Sequence, residues 1–147
     1  MIRKCEFKND WLVSIVYKDN VRYDGCKKLF EKFGLAYASL ENSFIFIDGE
    51  AIIEQHLTQD HITAIEAHEI GHFISDHKGL INKSLDEMEQ EADWAGYQIL
   101  LKYKKKKAAA LIAKRFKDTY DVDIEQFVTK PKHRHKIENY LNEIKDV

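Results

Sequence analysis

Hydrophobic and polar positions repeat with two different periods along this chain, which separates a strand-bearing first third from a helical remainder. Trp11 to Tyr17 is a short apolar run that predicts a strand. Asp24 to Phe33 places Cys26, Leu29, Phe30 and Phe33 on one side of a helix, and Gly34 is suited to end it. Leu35 to Leu40 and Phe44 to Asp48 are β-prone runs separated by Glu41, Asn42 and Ser43, the pattern of a hairpin. Phe44-Ile45-Phe46-Ile47 is apolar without alternation and predicts a strand buried on both faces. Ala51 to His56 fits a helix or a strand.

From Asp60 onward the spacing is helical. Asp60 is placed to cap a helix running to about Asp76, with Gly79 in the loop after it. Ser84 and Glu87 form a capping-box pattern and open a helix to about Lys104, with Leu85, Met88, Ala92, Ala95, Ile99 and Tyr103 on its apolar side. A further helical stretch runs from about Lys106 to Phe116; the lysines from Lys104 to Lys107 offer a break without a Gly or Pro to enforce it, so one helix or two both fit. Asp123 to Val128 predicts a short helix, Pro131 an interruption, and Arg134 to Ile144 a last amphipathic helix carrying Ile137, Tyr140, Leu141 and Ile144. The expected architecture is α+β: one helix-rich domain over residues 1–147, with a small sheet or hairpin packed on one of the helices.

With 44% hydrophobic and 33% charged residues, the chain can close a core and is not of the disordered class. A formal charge of -2 gives no global electrostatic reason to bind nucleic acid or an anionic membrane. Cys5 and Cys26 are too few for a disulfide framework and lack metal-site spacing. Met1 to Asp10 is polar, and no stretch is long enough to span a bilayer, so a reducing cytoplasm is the expected setting. Charge is nevertheless unevenly spread: Asp86, Glu87, Glu89, Glu91 and Asp93 form an acidic block, and Lys102 to Lys117 a basic one. Solvated helix faces account for the lysines and for Asp86, Glu87 and Glu91.

One segment carries chemistry. His68-Glu69-Ile70-Gly71-His72 is an H-E-x-x-H sequence inside a predicted helix. Four residues make slightly more than one turn, so both imidazoles project from one face and can bind one zinc ion. Glu69 between them cannot easily join as a ligand but can take a proton from a metal-bound water. A catalytic zinc needs a third protein ligand, and the acidic helix downstream should supply it. Glu89 and Asp93 lie one turn apart on one face while Glu91 points elsewhere, which assigns Glu89 as ligand and Asp93 as acceptor for the distal nitrogen of a ligand histidine. Ala92, Ala95 and Gly96, with Gly71 in the motif, would let the two helices approach closely.

Ala67-His68-Glu69-Ile70-Gly71-His72-Phe73 together with Glu89-x-x-Ala92-Asp93 resembles the ImmA/IrrE family of metallopeptidases, over roughly Phe44 to Leu101. The resemblance implies a zincin-like fold, one zinc per chain held by His68, His72 and Glu89, and Glu69 as general base. It also implies a protein or peptide substrate, with a transcriptional regulator the kind that family cleaves. The chain departs from the family pattern after Asp93, where Trp94-Ala95-Gly96-Tyr97-Gln98-Ile99-Leu100-Leu101-Lys102 lacks the expected proline, and in the short segment between the motifs.

A zinc peptidase also needs a donor for the oxyanion. Tyr97, His77, His133 and His135 are all candidates, and the sequence does not choose among them. For His77 a helix-terminal position, for His133 and His135 a solvated basic loop, and for His56 and His61 the surface are the plainer readings. The strand ending at Asp48 either presents an edge to an extended substrate or lies inside the sheet. Hydrolysis of peptide bonds is the leading reading. A zinc-binding interaction domain without turnover is the alternative, and a nucleic-acid module using the basic segments stands behind both, since neither segment interleaves aromatics with lysines.

Overall fold

The computed structural model describes residues 2–75, 85–127 and 129–144, without the side chains of Phe33 and Leu85. Expectations that fall on Asp76, His77, Gly79, Ser84 and Val128 lie outside the described residues.

Four strands, β1 (Ile2–Lys4), β2 (Leu12–Val16), β3 (Ala36–Ser39) and β4 (Phe44–Asp48), form one mixed sheet in the order β1-β2-β4-β3. Helix α1 (Tyr23–Phe33) connects β2 to the β3/β4 hairpin, so β4 lies parallel to β2 with Val13 opposite Ile45 and Ile15 opposite Ile47. Those four side chains make one face of the sheet and are almost wholly buried, each contributing about 1.5–3 kcal/mol of burial free energy. The other face packs Val16, Tyr37 and Phe46 against Cys26 and Phe30 of α1. β4 is therefore apolar on both sides but fully buried on one only: Ile45 and Ile47 are inaccessible, whereas Phe44 and Phe46 are half-buried.

Helices α2 (Gly49–Glu54), α3 (Gln59–Ile74), α4 (Leu85–Lys102), α5 (Lys106–Tyr120) and α6 (Pro131–Glu143) complete the chain, with a 3-10 turn at Ile124–Gln126. α3 is central, packed by β3 and by α4, α5 and α6. Thr63, Ala64 and the run from Glu66 to Gly71 are all buried, so this helix has no solvent face along that length. The result is the expected α+β architecture with a small sheet.

The structure corrects two boundary expectations, at Asp60 and Pro131, and decides between one helix and two around Lys104. Thr58, not Asp60, caps α3: its hydroxyl accepts from the His61 amide while the His61 ring accepts from the Thr58 amide. α4 and α5 are separate helices because Lys104 takes a left-handed conformation (φ 61°) that carries the Lys105 amide back to the Leu100 carbonyl. Pro131 begins α6 rather than interrupting, since the first helical position needs no amide hydrogen. The short strand β1 has too few residues to announce itself by period.

Candidate metal centre

His68 and His72 stand one turn apart on α3, and Glu89 reaches them from α4. Glu89 Oε2 lies 3.1 Å from His68 Nε2, and its Oε1 lies 3.0 Å from His72 Nε2. Among the described residues these three are the group of His, Cys, Asp and Glu side chains able to hold a metal, their donor atoms all within 4.8 Å of one another. Ligand atoms about 2.0–2.1 Å from a tetrahedral zinc stand roughly 3.3–3.4 Å apart, close to the 3.1 and 3.0 Å between the Glu89 oxygens and the two rings. Two imidazoles and one carboxylate also leave the fourth position open, as hydrolytic zinc requires.

The approach depends on glycine. A Cβ on Gly71 would come closer than 3.0 Å to the main-chain carbonyl of Ala92, and one on Gly96 would lie 3.1 Å from the Ala67 carbonyl and the His68 amide. Ala67, Ala92 and Ala95 are completely buried in the same crossing. The small residues noted in the sequence are thus what lets the backbones of α3 and α4 touch, and that contact carries Glu89 to the histidines.

Asp93, one turn beyond Glu89 and 1% exposed, has Oδ1 2.7 Å from His68 Nδ1. A carboxylate can only accept, so Nδ1 carries the hydrogen and Nε2 is directed toward Glu89. Burial disfavours a charged His68, but hydrogen bonds to Asp93 and Glu89 outweigh it and push the ring up to about 10 in the metal-free protein. Burial likewise opposes the charge on Glu89, and His68 and His72 overcome it, holding that carboxyl far below its ordinary value. Glu69 is buried and lines the adjoining cavity together with the three donor residues.

The cavity has a volume of about 590 Å³. β3 and its flanks form one wall, with Ala36, Tyr37, Ala38 and Leu40; α3 forms the floor, and Met88, Leu111, Ile112 and Arg115 the opposite wall. The Asp48 amide donates to the Leu35 carbonyl, and the register pairs Tyr37 with Phe46 and Ser39 with Phe44. Alternation then turns the main-chain groups of Ala36 and Ala38 away from β4, toward the open edge. β4 itself, lying between β2 and β3, has no free edge; the edge beside the cavity belongs to β3.

Of the oxyanion candidates, Tyr97 is nearly buried and donates to Glu125 Oε1 at 2.7 Å, outside the residues that line the cavity. Burial, then that carboxylate, push its phenol up to about 12. His77 lies outside the described residues, and His135 is exposed on α6. His133 is not in a solvated loop: it is 5% exposed, its Nε2 is 2.7 Å from Ser75 Oγ, and its Nδ1 meets Thr129 Oγ1. Glu91, read as a solvated acid, is 2% exposed and lies 3.8 Å from the same ring. His61, read as a surface residue, lines the cavity as well as capping α3.

Two residues not anticipated from the sequence matter here. Arg115 of α5 hydrogen-bonds Asp93 and lies 3.3 Å from His68 Nδ1. Glu66, with no exposed surface, takes two hydrogen bonds from Arg3, at 3.0 and 2.7 Å, and one from the Glu6 amide at 2.7 Å, which ties the N-terminal segment to α3. A glutamate in Ala64-Ile65-Glu66-Ala67, amid small and apolar residues, is a signal that could have found the second; nothing local marks Arg115.

Fold and site together define an α+β protein with a two-histidine, one-glutamate donor set at a helix crossing. No family model matches the chain, no curated protein matches it, and no solved structure matches it.

Proposed function

We propose that the chain is a zinc-dependent endopeptidase, with His68, His72 and Glu89 holding one zinc ion and Glu69 acting as general base. The observation that carries this reading is the convergence of three donor side chains from two helices beside a cavity that Glu69 also lines. Zinc bound there would lower the pKa of a coordinated water to about 7 and polarise the substrate carbonyl. Glu69 takes a proton from the attacking water as its oxygen bonds to the carbonyl carbon. As the C–N bond breaks, Glu69 returns that proton to the leaving amine. Asp93 fixes the His68 ring throughout.

The open edge of β3 favours an extended substrate, which can add as a further strand through Ala36 and Ala38, whose small side chains leave room for it. The resemblance to ImmA/IrrE peptidases makes a regulatory protein the substrate we favour. Among the described residues no helix is long and apolar enough to cross a membrane, and Cys5 and Cys26 are buried free thiols, which suits a reducing cytoplasm.

Purified protein should carry about one zinc per chain. Glu69→Gln should keep the metal and lose peptide hydrolysis by roughly 10²–10⁴-fold, the usual contribution of a general base. Glu89→Ala should lose metal in chelator competition. Equal hydrolysis by wild type and Glu69→Gln would reject the mechanism.

A further inference from the structure

The two walls of the cavity differ in chemistry. β3 offers main-chain groups and small side chains, whereas α4 and α5 offer Met88, Leu111, Ile112 and Arg115. Leu111 and Arg115 are four residues apart on α5, so an apolar patch and a cationic donor share one helix face. Leu57 and Ile65 extend the apolar lining.

Arg115 is anchored by one nitrogen. Its Nη2 bonds Asp93, while among the described residues Nε and Nη1 have no protein acceptor and the side chain is 55% exposed. A guanidinium presents five N–H donors in a planar fork, so most of them remain available at the cavity surface. His68 fixes where they are: its Nε2 faces Glu89 and its Nδ1 faces Asp93 and Arg115. The guanidinium thus lies on the Nδ1 side of the ring and the Glu89 carboxylate on its Nε2 side. Asp93 already balances its charge, so a neutral carbonyl suits it better than a substrate carboxylate.

We infer that the cavity selects a bulky aliphatic side chain next to the bond to be cut, and that Arg115 donates to a main-chain carbonyl of the bound peptide. This deepens the peptidase reading and rests on it. Arg115 then holds substrate, in addition to its contact with Asp93.

The test uses fluorescently labelled seven-residue alanine peptides, blocked at both ends, with Leu, Ala, Glu or Lys at the central position. Binding to the zinc-loaded Glu69→Gln protein is read by polarisation, alongside hydrolysis by wild type. The leucine peptide should bind roughly tenfold tighter than the other three, as expected for a few buried methylenes, and Leu111→Ser should erase most of that preference. Arg115→Gln should weaken every peptide about tenfold, with the leucine preference kept. Equal affinity for all four guests, a preference for Glu, or no binding of the leucine peptide overturns the proposal. An Arg115→Gln variant that loses zinc affinity but not peptide affinity would assign Arg115 to Asp93 alone and overturn its role as substrate donor. Leucine-selective binding without hydrolysis by wild type keeps the subsite and removes the peptidase reading; Glu69-dependent hydrolysis without selectivity does the reverse.

Discussion

Gly71→Ala is the sharpest perturbation of the α3–α4 crossing. On a solvent-facing helix this substitution stabilises by about 1 kcal/mol, because alanine loses less backbone freedom than glycine. Here the new methyl would sit closer than 3.0 Å to the Ala92 carbonyl, a main-chain atom that cannot rotate away. Ordinary carbon contacts begin near 3.5 Å, so the helices must part by about half an ångström or more. Overpacking of this kind costs about 1–3 kcal/mol, and rigid backbone places it toward the upper end, which leaves a net loss of about 1–2 kcal/mol after the propensity gain. The separation also carries Glu89 away from His68 and His72, and metal–ligand distances tolerate only about 0.2 Å. Zinc affinity should therefore fall by at least about tenfold, the lower end of what displaced metal-site partners cost. Urea denaturation of the metal-free variant and zinc competition against a chelator measure the two effects separately. A variant as stable as wild type or more so, with unchanged zinc affinity, would refute the close-approach account.

Three further outcomes follow from buried groups away from His68, His72 and Glu89. Arg3→Ala leaves the Glu66 carboxylate buried without its cation, beside the Glu6 amide and the Cys5 thiol, and should cost about 2–3 kcal/mol in urea denaturation, less than a fully buried pair because Arg3 is partly exposed. His133→Ala removes the ring shared by Ser75 and Thr129 and should cost about 2–4 kcal/mol; a loss under half a kcal/mol would show that this network is slack. Burial, with the Glu66 carboxylate beside it, pushes the Cys5 thiol up to about 12 from an ordinary 9.0. The unfolded chain then gives up that proton at lower pH than the folded one, so this contribution to stability is full below about pH 9 and is lost as pH rises toward 12. At pH 10.5 the loss should be at most about 2 kcal/mol, and a Cys5→Ala variant should show a flatter alkaline slope.

The local order of the chain was legible where one side of an element faces the core and the other does not. α1 and α5 announce themselves by period because each has a buried and an exposed side, whereas the α4 stripe of Met88, Ala92, Ala95 and Ile99 runs through residues 91–97 that are buried all round. Period alone was a weaker guide to α3, which is buried around most of its circumference; there the H-E-x-x-H spacing carried the reading. The same limit applies to His133 and Glu91. Polar residues in a lysine-rich stretch or an acidic run read as solvated, and only the packing of α6 on α4 and α3 buries them.

By itself the sequence determined the pairing of His68 with His72 and the alternation of Glu89 and Asp93, since helical pitch fixes which residues share a face. It also marked Gly71 and Gly96 as permitting a close crossing. The tertiary structure alone decided that Asp93 meets His68 Nδ1 with Arg115 beside it, that Arg3 satisfies Glu66, and that β3 rather than β4 holds the edge next to the cavity. The reason is physical: the period of a helix or strand is set within a few residues, whereas a partner tens of residues away is chosen by how whole elements pack. Nothing in the spacing of either segment records that choice.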